Sequence, residues 1–276
     1  MPARSERQAL DWALVLASQG IEAAIEAPNA DGPWTLRVPS AERARALEAI
    51  RLYRRENRRF AWRRELPPTS LVFHNAVLIW AVGLIVLHGL QSPLLEPGRF
   101  DTAQFRQGAW WRAFTATTLH SDVAHLAANT LTGSVPLGLA MGRFGPGTAL
   151  FLTLLGGAAG NLFAMTARGT PYLGLGASGV VLAAVGLLAG HAVTWWRVSR
   201  HATRHVVASV AASVFLFLVV GVDPAADVLA HLGGFLSGLL LGALAAWGRW
   251  ERRDTSLGIA YASTLALSWI LAVVRR

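Results

Sequence analysis

The chain has 276 residues, of which 53% are hydrophobic and only 15% charged, with no cysteine and a net charge of +9. Soluble domains carry about 25% charged residues, so a wholly soluble protein is excluded. The missing thiols exclude disulfides, thiolate metal sites and a cysteine nucleophile. All 25 basic residues are arginine, and they stand in loops beside apolar spans. That pattern fits orientation in a membrane and contact with anionic lipid, and it argues against a nucleic-acid partner. The first thirty residues show no basic region followed by an apolar core, so no cleavable signal peptide is expected.

Residues 1–64 read as a small soluble α+β unit, and 65–276 as the membrane part. Ser5 to Gln19 alternate with helical period and stop at Gly20, a helix-ending residue. Ile21–Glu26 and Trp34–Val38 alternate with period two around the turn cluster Pro28–Pro33. Ser40 is read as the cap of a helix rich in Ala, Leu, Glu and Arg that runs to Asn57. The order is helix–strand–strand–helix. Arg54-Arg55, Arg58-Arg59 and Arg63-Arg64 then form a lipid-facing stop before the membrane.

Seven apolar spans follow, at about 71–90, 119–141, 147–167, 178–196, 206–222, 228–247 and 256–274. The arginine bias places the N-terminus in the cytoplasm, with Arg143, Arg197, Arg200, Arg204, Arg249, Arg252 and Arg253 inside. Arg99, Arg106, Arg112 and Arg168 fall outside, together with the dissenting tail pair Arg275 and Arg276. Trp195, Trp196, Trp247 and Trp250 mark the inner interface. The first outer segment, Gln91 to Thr118, is aromatic and long, and is read as a lateral loop packed on the bundle.

Spans two, four and six all run from outside to inside, so polar residues in their opening turns share one layer. Span two opens with His120-Ser121-Asp122-Val123-Ala124-His125 and reaches Asn129. Span four opens with Ser178, and span six carries His231. Ionisable and polar groups inside a membrane are costly and are functional candidates by default. Ser178 heads a stripe with Gly186 and Gly190, and His231 heads one with Gly234, Gly238 and Gly242. Such small-residue stripes let two helices approach closely. They would bring an imidazole to a hydroxyl, the nucleophile–base pair of acyl transfer. His125 and Asn129, four apart, share a face and can aim donors at the same place. His120, five before His125, is expected to face elsewhere.

The residues Trp111-Arg112, His120-x4-His125-x3-Asn129, Gly176-Ala177-Ser178-Gly179 and Ala230-His231-x2-Gly234-x3-Gly238 resemble the rhomboid intramembrane serine proteases over roughly residues 70–250. The resemblance implies an all-α polytopic fold: a rhomboid-like six-helix bundle, here with one additional C-terminal transmembrane helix. It implies a serine endopeptidase that cuts transmembrane segments of single-span or multi-span membrane proteins near the outer face. Ser178 would be the nucleophile and His231 the base of a dyad with no acidic member. The Ser178 N–H, His125 and Asn129 would form the oxyanion hole. His120, Trp111, Arg112, Gly176, Gly179, Gly234 and Gly238 would support the site, and Phe215, Phe217 and the loop Gly221–Leu229 would gate it. No metal or cofactor is implied, and the bacterial cytoplasmic membrane is the expected location. Leu182 stands where the family often has an aromatic residue, and Met141 where many members have a glutamate.

Other readings use the same residues. Ser178 alone is a packing residue, and His125 with Asn129 can be a structural clasp. A catalytically inactive rhomboid-like protein that binds and escorts membrane clients is the alternative function. A zinc protease would need His-Glu-x-x-His, an aspartyl type two facing intramembrane aspartates, and neither is present. A transporter rests on span count alone. His74, His88 and His191 have no evident partner, His201 and His205 read as solvated, and Asp223 and Asp227 as helix caps around Pro224.

Overall fold

The computed structural model describes residues 1–27, 33–57, 72–198, 202–222 and 227–275. The Pro28–Gly32 part of the turn cluster, Arg58, Arg59, Arg63, Arg64, Arg200, His201, Asp223, Pro224 and Arg276 lie outside the described residues. The chain falls into two compact units, Met1–Pro68 and Thr69–Arg276.

In the first unit, β1 (Pro2–Ala3), α1 (Glu6–Ser18), β2 (Ala24–Glu26), β3 (Trp34–Arg37) and α2 (Arg43–Glu56) follow one another. The sheet is antiparallel in the order β1-β3-β2, with Ile25 opposite Leu36 and Ala3 opposite Trp34. Ala9, Trp12 and Leu16 of α1 and Ala46 and Ile50 of α2 pack with Ala3, Ile21 and Leu36 into one core. Ser5 caps α1 by accepting the Gln8 N–H, and Gly20 takes the positive φ (+72°) that ends it. Two expectations need correction. Ser40 caps nothing, because a 3-10 turn at Ser40–Glu42 precedes α2 and its side chain accepts no bond. The strand expected from Ile21 begins at Ala24, and the two-residue β1 before it is too short to leave a periodic signal.

The second unit is an all-α membrane bundle. Helices stand at all seven expected spans: α3 (Val77–Leu90), α7 (Val123–Phe144), α8 (Pro146–Arg168), α9 (Ser178–Val193), α11 (Thr203–Gly221), α12 (Val228–Gly248) and α13 (Asp254–Val274). Between α3 and α7 lie α4 (Leu95–Gly98), β4 (Phe100–Asp101), α5 (Thr102–Arg106) and α6 (Arg112–Thr115); β5 (Leu173–Gly174) precedes α9 and α10 (Trp195–Val198) follows it. By length and composition α8, α12 and Trp250–Val274 can each cross a membrane, and α3 with the bent segment Ser92–Gly98 makes a fourth candidate. The helices α9 and α11 are apolar but shorter. The helix α7 carries His125, Asn129 and Arg143, which lower its hydropathy.

Helix α9 is the axis of the bundle, buried along nearly its whole length between α12, α8, α7 and α11. Large apolar side chains such as Ile79, Leu131, Phe215, Ile259 and Val274 cover the outside. Such a surface suits lipid, and in water it would aggregate. Helix α7 starts four residues later than expected, because Leu119 is extended and Asp122 caps the helix at the His125 N–H. The segment after α3 is a folded layer. Its β4 pairs with β5, Phe100 opposite Gly174, and Phe100, Ala113 and Ala116 pack with Ala158, Tyr172 and Ala230.

Candidate active site

The contact between α9 and α12 fixes the level of everything else. A methyl group added to Gly234 would stand 2.5 Å from the Gly179 carbonyl oxygen, and methyls on Gly238 and Gly242 would strike the carbonyl oxygens of Ala183 and Leu187. Each step is four residues on both helices, so the pair runs parallel in one register with backbones touching. Ser178 is therefore at the level of Gly233. His231, two residues from Gly233, lies within about 3 Å of that level along the axis, at 1.5 Å per residue.

The turn before Ser178 is shaped by Gly176, whose φ is +130°. A methyl there would lie 2.8 Å from His125 Cε1, 2.9 Å from His125 Nε2 and 3.7 Å from Ser178 Oγ. Gly176 thus separates the histidine from the serine by no more than a hydrogen atom's width of side chain. Its N–H donates to the Ala116 carbonyl (2.9 Å), and the Ala177 N–H donates to His120 Nε2 (3.4 Å). Ser178 opens α9, where the first N–H groups have no helical acceptor and the dipole favours negative charge.

His231 is buried, and its Nδ1 lies 2.8 Å from the Gly221 carbonyl oxygen. A carbonyl can only accept, so Nδ1 carries the hydrogen and neutral imidazole keeps Nε2 as an acceptor. Asp227 caps the start of α12 at the Ala230 N–H (3.1 Å) and pairs with Arg168 at 2.7 Å. Burial works against ionisation of Asp227, but hydrogen bonds from Tyr172, the Ala230 N–H and Arg168 hold its carboxyl below the usual range. Burial pushes the Tyr172 phenol far up, and its hydroxyl reaches the Asn161 side-chain oxygen.

Just before α7, Ser121 Oγ lies 2.8 Å from an Asp122 carboxylate oxygen and 3.1 Å from His125 Nδ1, leaving Nε2 towards Gly176. Asn129 is buried, one turn along the same face, and its amide nitrogen has no hydrogen-bond partner. A buried donor of this kind can be satisfied by a water or by an incoming acceptor.

His120 departs from expectation. It precedes α7 rather than lying on it, so the helical spacing does not apply, and its ring sits edge-on to His125 at 5.2 Å. The Gln91 side chain grips the His120 backbone in both directions, at 2.6 and 3.1 Å. Gln91 and Asn161, which holds the Ala113 carbonyl at 3.0 Å, escaped the sequence reading. Single polar residues without a repeat give no signal. Arg112 binds the carbonyls of Glu96 and Arg99 (2.8 and 3.0 Å), and Trp111 is buried beside Ala109 and Ala272. Partners exist for histidines that lacked them in sequence: His88 faces His120, His191 accepts from Arg143, and His74 accepts the Ala76 N–H. His205 accepts from Arg204. Phe217 is packed on Phe235 whereas Phe215 points outward, and Leu182 and Met141 are fully buried in the main hydrophobic core. Among the described residues no group of three or more His, Cys, Asp or Glu could hold a metal ion.

The sequence profile of the rhomboid domain matches residues 107–248, just over half of the chain. The chain belongs to the rhomboid family. Its similarity to rhomboid protease GluP of Bacillus subtilis is 30% identity over 181 residues, 63% of this chain and 35% of that protein. It is also 30% identical to RHOMBOID-like protein 1 of Arabidopsis thaliana over 185 residues, covering 62% of this chain and 46% of that one. Rhomboid-like protease 3 of Toxoplasma gondii is 29% identical over 134 residues, 48% of this chain and 50% of its own. The chain thus spans between about a third and a half of the length of these relatives. The matched region contains the α7, α9 and α12 residues described above, and it takes in five of the seven helices, α7, α8, α9, α11 and α12.

Proposed function

We propose that this rhomboid is an intramembrane serine endopeptidase. Ser178 Oγ attacks the scissile carbonyl while His231 Nε2 takes its proton and later returns it to the leaving amine. The developing oxyanion is held by the Ser178 N–H, His125 and Asn129, and water then releases the acyl chain from Ser178. The observation that carries this reading is the single register of α9 and α12, with the Gly221 carbonyl fixing the tautomer of His231. The substrate is a transmembrane segment whose helix opens near the site, because a helical carbonyl is shielded and already bonded. We further propose that the N-terminal unit is cytoplasmic, that the site lies towards the outer face of a bacterial cytoplasmic membrane, and that residues 1–64 and 65–276 are separate domains.

The test is cleavage of a single-span substrate in liposomes, with fluorophosphonate labelling in parallel. Both are expected in the wild type and absent in Ser178→Ala and His231→Ala. Labelling that survives in Ser178→Ala, or a folded wild type that neither cleaves nor labels, overturns the protease and leaves the escort reading.

A further inference from the structure

The side chains assigned to the site come from α7, α9 and α12, and α13 supplies none of them. Its inward residues nevertheless repeat at steps of four and three: Asp254, Gly258, Tyr261, Leu265, Ser268 and Ala272. Gly258 near one end and Ser268 and Ala272 near the other are small, so α13 lies close to its partners there along one stripe. At one end Asp254 accepts the Thr148 N–H (2.8 Å) and so caps α8 from outside. There a methyl on Gly147 would stand 2.7 Å from the Gly258 nitrogen. At the other end Trp269 covers Gly98, where an added methyl would stand 2.6 Å from its ring and 2.9 Å from Leu119. Ala272 is buried with Ala109 and Trp111, and the Arg275 guanidinium sits over the Trp111 ring at 5.7 Å. The opposite face of α13, with Ile259, Leu267, Ile270 and Val274, is exposed.

The layer that α13 grips leads to the serine by two short routes. The Gly98 carbonyl accepts from Thr115 (2.6 Å), and Ala116, the next residue, accepts the Gly176 N–H at 2.9 Å. Leu119, which with Trp269 closes in on Gly98, adjoins His120, whose ring accepts the Ala177 N–H. Both routes end within two residues of Ser178.

We propose that α13 is the anchor of the 91–118 layer and that Trp269 is a positioning residue for the Gly176–Ser178 turn, acting through Gly98 and Ala116. The positioning part rests on the reading of Ser178 as nucleophile. Loss of Trp269 frees the layer, and the N–H groups at Gly176 and Ala177 lose their fixed acceptors. Substrate still binds, but its carbonyl meets a misaligned serine.

The test uses the full chain in nanodiscs. Because the chain has no cysteine, a nitroxide on Gln104→Cys reports the layer alone. Trp269→Ala is expected to raise the mobility of that label and to lower kcat by about tenfold to a hundredfold, the cost of a misplacement near 1 Å, with KM within about twofold. Trp269→Phe recovers most of both, and Ile270→Ala, on the exposed face, changes neither. An unchanged spectrum in Trp269→Ala overturns the anchor. A loosened label with unchanged kcat, or a loss of kcat that Trp269→Phe does not recover, overturns the positioning role. If Trp269→Ala does not fold, Trp269→Leu is read by the same criteria. Should the wild type cleave nothing, the label still decides the anchor, so failure of the protease reading stays distinguishable.

Discussion

His231 gives its Nδ1 hydrogen to the backbone carbonyl of Gly221 across 2.8 Å. A backbone acceptor holds the ring and fixes its tautomer without placing a charge in the bundle, where an ionised third member would be costly. The acceptor belongs to the last turn of α11 and the imidazole to the first turn of α12. The end of α11 therefore sets the orientation of the His231 ring.

On the proposed dyad, no carboxylate is needed for turnover. Asp122→Asn and Asp227→Asn are expected to keep most cleavage activity, whereas His231→Ala loses roughly 10²–10⁴-fold, as removal of a general base does. Initial rates on a fluorogenic single-span substrate decide this. A loss in Asp227→Asn as deep as in His231→Ala would show that the backbone carbonyl is not the effective partner.

Gly176→Ala is expected to abolish labelling and cleavage. The new methyl must occupy a backbone conformation that L residues rarely adopt, and it would press on the His125 ring. The backbone strain costs about 1–3 kcal/mol and is local. Thermal unfolding should fall modestly while activity disappears, and activity close to wild type would mean that the turn relaxes freely.

The helices, their order and the glycine stripes were legible because apolar length and helical spacing are written directly into the chain. Ser178, His231, His125 and Asn129 were legible because each opens a span or sits one turn from a partner. What escaped depends on contacts between distant segments. Gln91 meets His120 across the folded layer, and Arg168 meets Asp227 from the end of another helix. His120 was misdirected for a different reason: the helical spacing was extended over residues that Asp122, as a cap, leaves outside the helix. Trp269 likewise carries no signal of its own in an apolar span, since Gly98 beneath its ring and Trp111 beside it belong to a distant segment.

Gln91→Leu removes both bonds to the His120 backbone in a buried place. The stranded N–H and carbonyl cost about 1–3 kcal/mol, more than the leucine gains. Lower thermal stability and slower turnover are expected together, with Gln91→Glu intermediate. Melting curves and rates on one preparation check it, and unchanged melting of Gln91→Leu would refute it.

Acid should weaken the Asp227 clasp. Its carboxyl titrates below the usual range in the folded chain, so its stabilisation is fully present above the unfolded value near 3.9 and is lost as pH falls through the folded value. The Arg168 pair is partly exposed and contributes at most about 1 kcal/mol, with the cap adding about the same. Melting temperature in detergent is expected to fall as pH drops below about 4, and Asp227→Asn should flatten that part of the profile while melting lower at pH 7. A wild-type profile that Asp227→Asn leaves unchanged would remove Asp227 from the acid response.

Gly238→Val probes the helix contact on which the level of Ser178 and His231 depends. The new side chain would enter the space filled by the Ala183 carbonyl oxygen, with the Ala183 Cα 2.7 Å away. Backbone cannot step aside as a flexible side chain can, so α9 and α12 must separate or slide. Overpacking typically costs about 1–3 kcal/mol, and here the displacement is passed along two helices to the serine–imidazole pair. Fluorophosphonate labelling should be lost and melting should fall, whereas Leu240→Val, on the exposed side of α12, should alter neither. Full labelling in Gly238→Val would mean that the two groups meet without the close register, which would undo the reading of Ser178 and His231 as a pair held by helix packing.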